Sequence, residues 1–152
     1  MDAKRQDLTN SIGLLVLRVG LGLYMASHGW SKFADLMQGK FNDQFDPIGI
    51  GPHLSLMGAA GSEFICALMV IVGVATRVAA APIVFTMIVA AFVVHGSDPW
   101  TMGAGASKEP ALLFAFGFLT LIFTGAGKFS VDGLLWPAYR RRRKRRKEAG
   151  KP

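Results

Sequence analysis

Charge is scarce in this chain, and cysteine nearly absent. Only 18% of its 152 residues are Asp, Glu, Lys or Arg, against about 25% in an average globular protein. That leaves too little polar surface to cover a water-filled exterior. The single cysteine, Cys66, excludes an internal disulfide, a CxxC redox pair and a cysteine-based zinc or iron–sulfur site. Acidic residues are fewer than basic ones, ten against 17, for a net charge of +7. The excess is local. Ten of the 17 Lys and Arg lie at or beyond Lys128, and the preceding body holds seven against eight Asp and Glu. A near-neutral body argues against a nucleic-acid-binding domain. The basic run at 140–147 has no aromatic interleaving and does not change that reading. No Gly-rich turn follows a strand, so no dinucleotide-binding loop is present.

What the chain has in abundance is apolar sequence: 51% hydrophobic residues and a mean hydropathy of +0.37. It is gathered into four segments, 11–30, 56–76, 78–95 and 110–127. Each approaches the roughly 20 helical residues that cross a bilayer core. Each is apolar nearly all round, where a soluble helix would show a polar face. The expected fold is all-α, a polytopic bundle of four transmembrane helices spanning 11–136, with a cytoplasmic N-terminus at 1–10 and a basic cytoplasmic tail at 137–152. Pro82 and Pro110 read as first-turn prolines, and Arg77 as nearly the whole link between the second and third helices. The loop at 31–55 carries Phe41, Phe45 and Ile48 and reads as lying partly on the membrane surface. Arg18 interrupts the first segment and no small-residue cleavage site follows, so this segment reads as an uncleaved span.

An even number of spans puts both termini on one side. That side receives 13 Lys and Arg, and the other only Lys32, Lys40 and Lys108. The asymmetry places both termini in the cytoplasm, across a cell inner (plasma) membrane. The basic tail is then an anchor for anionic lipid headgroups, each residue worth roughly 1 kcal/mol at the surface.

Ionisable residues at bilayer depth are costly and mark candidate sites. Six stand out: Arg18, His28, Lys32, Glu63, His95 and Glu109. Arg18 and Glu63 each lie about 10 Å inside their segments, and pairing with one another would relieve both. Snorkelling of Arg18, or a protonated Glu63, is the structural alternative. His28 and Lys32 are one turn apart and share a face. His95 and Glu109 fall at the same outer level, and for Lys32 and Glu109 simple solvation is the alternative. Each histidine precedes a glycine at an expected helix end, a pattern that fits a duplicated helical hairpin.

LVLRVGLGLYMASHGWSK, a Glu early in the second segment, GVATR at its end, VHG closing the third and GAGKFSVDG after the fourth resemble, in that order, the DoxX family of small bacterial membrane proteins. The resemblance covers about residues 12–135. It implies a four-helix membrane bundle and a link to membrane redox or oxidative-stress assemblies, the family's name coming from a subunit of a thiosulfate:quinone oxidoreductase. Arg18, His28, Lys32, Glu63 and His95 match the family's polar pattern. The chain would thus be a membrane component of a redox system, binding a quinone-like ligand or small oxyanion in an outward-facing polar cluster, with Glu63 as a proton relay. As an enzyme it would be a subunit of a quinone-linked oxidoreductase. No redox cofactor or metal site is evident in the chain, so electrons would come from a partner redox protein or a bound cofactor. Haem ligation by the two histidines is disfavoured, because both sit at expected helix ends. The chain's expected partners are the lipid bilayer and a redox protein or further copies of itself in a homo-oligomer, and a non-catalytic assembly or anchoring subunit or a small-solute transporter is the competing class.

Overall fold

The computed structural model describes residues 2–103 and 105–135. The basic run at 140–147 therefore lies outside the described residues. Those residues form four main helices and no strand. They are α1 (Ala3–Met37), α2 (Pro52–Val72), α3 (Thr76–Val94) and α4 (Glu109–Thr124). The first three are long and apolar enough to cross a membrane, and α4 is a shorter apolar helix.

The bundle is held by small residues on one face and large apolar ones at the centre. The buried face of α1 is Ser11, Arg18, Gly22, Met25, Ala26 and Gly29, a seam with nearly heptad spacing. A Cβ on Gly22 would strike the Ile71 side chain, and one on Gly29 would lie 2.5 Å from the Glu63 carbonyl carbon. These two glycines let α1 and α2 pack backbone to backbone in an antiparallel register. Met25, Val70, Ile83, Phe118 and Leu121 fill the core with no exposed surface. On the outside Val16, Tyr24, Phe85, Phe92, Phe116 and Phe123 are all more than half exposed. So much outward apolar surface suits hydrocarbon rather than water.

Both α2 and α3 contain a π-helical stretch, at Gly61–Cys66 and Ala90–Val94. One holds Glu63 and the other runs directly into His95. Stretches of this kind are uncommon and gather at functional positions.

Several boundaries differ from those read in the sequence. α1 continues past Trp30 to Met37, so Lys32 is inside the helix and His28 does not end it. The two histidines are thus not equivalent helix ends. α2 begins at Pro52, which puts Glu63 twelfth in the helix, about 16 Å from its start. The turn between α2 and α3 is Gly73–Ala75, with both residues at positive φ, and Arg77 belongs to the first turn of α3. Pro82 is consequently in the second turn, while Pro110 does sit in the first turn of α4.

Candidate functional site

The expected Arg18–Glu63 pair does not form. In the antiparallel register Glu63 faces Gly29, and Arg18 lies eleven residues back along α1, about 16 Å away. Lys32, one turn beyond Gly29 on the same face, reaches Glu63 instead. Its ammonium donates to both carboxylate oxygens, at 2.7 and 2.5 Å. Glu63 is 3% exposed, and the Lys32 side chain retains about a third of its surface. The sequence suggested solvation for Lys32 because the end of α1 was placed seven residues too early.

Around this pair is a chamber of about 300 Å³. His28 and Lys32 of α1, Glu63 of α2, and His95 at the end of α3 all line it, together with Met25, Met87 and Phe114. The His28 ring meets Phe114 edge-on at 5.9 Å. His95 is steered through Nδ1 by Asp98 Oδ2 at 2.7 Å, and fixing one ring nitrogen sets the role of the other. Of the six residues singled out in the sequence, four thus meet in one place.

The remaining two lie elsewhere. Glu109 accepts the Met102 amide at 2.7 Å and orders the loop between α3 and α4. Arg18 sits at the other end of the bundle. One guanidinium nitrogen donates to the carbonyls of Val70, at 3.2 Å, and Ile71, at 2.5 Å; the other donates to the Phe129 carbonyl. Arg18 thereby caps the last turn of α2, where the Val70 carbonyl also accepts the Gly73 amide at 3.1 Å. The same knot includes Asp132, which accepts the Ala75 and Thr76 amides at the start of α3, at 2.8 and 2.9 Å. Lys128 pairs with Asp7, joining the chain after α4 to the start of α1.

One lining residue gave no signal in the sequence. Ser107 is 5% exposed, lines the chamber, and its hydroxyl has no hydrogen-bond partner among the described residues. It is buried because Lys108 pulls the loop inward, donating to the Gly96 carbonyl at 2.8 Å and lying 5.2 Å over the Trp100 ring. A buried hydroxyl left unpaired costs free energy, and this oxygen is sealed from the chamber that its residue lines. Serine is common in loops, and only the packing of Lys108 sets this one apart.

The comparisons with known proteins agree in one direction. The family model described as DoxX matches residues 13–96. An uncharacterized protein of Haemophilus influenzae is 31% identical over 146 residues, covering 91% of this chain and 93% of the relative. No solved structure matches.

Proposed function

The chain belongs to the DoxX family of membrane proteins, and from that premise we propose that it binds a quinone-like ligand in the Lys32–Glu63 chamber as the membrane component of a redox system. The observation that carries this reading is the convergence of His28, Lys32, Glu63 and His95 on one cavity. A quinone head asks for hydrogen-bond donors at its carbonyls and an apolar slot for its ring. Lysine and histidine donate, while Met25, Met87 and Phe114 supply the slot. A chamber of about 300 Å³ is at the lower end of ligand-pocket sizes, which suits a single ring.

A small oxyanion is served less well. The Lys32 charge is already met by Glu63, and Arg18, the other cation expected to attract an anion, is bound to carbonyls at the far end. The chain's share in redox chemistry is to orient the ring and to hold a proton at Glu63 or His95. The electrons come from a partner protein.

In this reading all four helices cross an inner membrane, with the Arg18 end and both termini in the cytoplasm and the chamber outward. The Lys and Arg asymmetry supports that orientation. The Lys128–Asp7 pair supports an even number of crossings, since it brings both ends of the helical body together. α4, at sixteen residues, covers about 24 Å and is accommodated by local bilayer thinning.

Mass spectrometry of lipid extracts from gently purified protein tests the ligand. Wild type should carry enriched quinone, and His28→Ala and Glu63→Gln should carry little. With no enrichment, and variants equal to wild type in quinone titrations, the protein is a structural or assembly subunit. Reporter fusions at Gly51 and at the C-terminus test the orientation.

A further inference from the structure

On the other side of the Lys32–Glu63 pair lies a second cavity, of about 430 Å³, between α2 and α3. Lys32, Glu63, Ala90 and His95 line both spaces. From His95 the second one follows α3 past Val89 and Phe85 down to Pro82, a run of fourteen residues or about 20 Å of helix. Gly58 and Ala59 of α2 form the facing wall, and Phe45 and Ile48 of the preceding loop close it at the His95 end.

Its three hydroxyls do not make it polar, and the Ser55 hydroxyl donates to Asp46 Oδ1 at 2.7 Å. Ser62 Oγ and Thr86 Oγ1 lie 2.7 Å apart, and they bond in addition to the Ala59 and Pro82 carbonyls. The cavity is therefore an apolar groove with charge only at the end it shares with the chamber. Its α3 lip is open: Phe85 is 59% and Val94 51% exposed, on a helix apolar enough to cross a membrane. The open side faces lipid.

We propose that this groove holds the single apolar chain of an amphiphile whose planar head occupies the chamber, and that the ligand arrives sideways from the bilayer between α2 and α3. The inference rests on the quinone-like reading and adds the ligand's second half and its route. Continuity with the charged end selects an amphiphile over a plain hydrocarbon. The width left by Gly58 and Ala59 admits one chain between the helices. Lipid tails are as apolar as the groove, so transfer from the bilayer gains little affinity. The groove's contribution is orientation, delivering the head to His28.

Gly58 provides the test, because a Cβ there meets nothing within 4 Å. A phenylalanine at this position enters the groove without moving the helix backbone. The probe is a benzoquinone carrying a ten-carbon chain with a photoreactive diazirine at its end, added to full-length protein in lipid nanodiscs. Illumination should label the 82–89 stretch of α3. Gly58→Phe should cut that labelling at least about fivefold, and Gly58→Ala should match wild type. Labelling spread over all lipid-facing helices, or labelling of 82–89 that Gly58→Phe leaves intact, overturns the groove. Chainless benzoquinone reports on the chamber alone and should bind wild type and Gly58→Phe equally. If it binds neither while groove labelling persists, the head assignment falls and the chain groove stands.

Discussion

Arg18 and Glu63 are equally buried, each 3% exposed, yet the two ends of the bundle treat them differently. Arg18 is met by three backbone carbonyls from two segments distant in sequence. Its surroundings are closed: a Cβ on Gly73 would sit 2.6 Å from the guanidinium. Glu63 is met by one flexible lysine, and empty space lies on both sides of the pair. Backbone carbonyls cannot move away without unwinding a helix, so the Arg18 charge fastens the bundle. A lysine on a four-carbon stem can swing, so the Glu63 charge stays available for exchange. Burial alone does not separate a structural charge from a functional one. The kind of partner, and the presence of room, does.

Removing Arg18 should have the largest effect. Arg18→Leu removes three hydrogen bonds to carbonyls, and hydrogen bonds to charged groups are worth about 1.5–3 kcal/mol each. A loss of about 4 kcal/mol in thermal unfolding in detergent is expected, or failure to accumulate. Arg18→Lys should fall between, since an ammonium lacks the planar fork. Whatever protein remains folded should bind benzoquinone as wild type does. Reduced ring affinity at unchanged stability would instead join Arg18 to the chamber and dissolve the contrast.

The Lys32–Glu63 pair comes next. Taking one partner from a fully buried pair costs about 3–5 kcal/mol, and the partial exposure of Lys32 should bring Lys32→Met down to about 2 kcal/mol. Lys32→Met with Glu63→Gln should recover at least half of that. Additive losses in the double-mutant cycle would mean that the two are not coupled.

Ser107→Ala should go the other way. With no bond to lose among the described residues, the protein should be unchanged or gain up to about 1 kcal/mol, and ring affinity should hold. Lower stability would show that the hydroxyl has a structural partner after all.

The smallest effect is expected at Asp46, in the loop that closes the groove. Its carboxylate accepts the Ser55 hydroxyl at 2.7 Å and the Ile50 and Gly51 amides at 3.0 and 2.9 Å. The Ser55 bond first, and the backbone amides after it, hold its pKa below the ordinary carboxylate range. A depressed folded pKa contributes stability above the unfolded value of about 3.9, lost as pH falls through the folded one. Amide hydrogen exchange of residues 45–55 should therefore stay slow at neutral pH and quicken only in strong acid. Asp46→Asn should show the quickened pattern at every pH.

The helices were legible because apolar length needs no tertiary information. The convergence of His28, Lys32, Glu63 and His95 was legible too, since intramembrane polar residues are rare. Their partners were not. The Arg18–Glu63 pairing assumed that hydropathy marks helix ends, but α1 runs on through Ser31, Lys32 and Asp35. Seven extra residues moved Lys32 from rim to interior. Gly29 carried the missing signal, because a glycine on the buried seam fixes which residues of α2 lie opposite. Arg18 was misread for another reason: its acceptors are main-chain carbonyls, and every residue has one.

The π-helical stretches also bear on how α2 is counted. Each π turn holds one residue more than an α turn, so the helix beyond it is rotated by about 100° from where an unbroken count would put it. The half of α2 that presents Val70 and Ile71 to Arg18 is thus set in phase independently of the half that lines the groove with Gly58 and Ala59. Gly61–Cys66 acts as a slip joint between the two. A single-residue deletion there would read in an alignment as a minor gap. In space it would close the helix to a regular α-helix and turn the groove wall relative to the Arg18 knot, leaving every side chain named here present and the site dismantled.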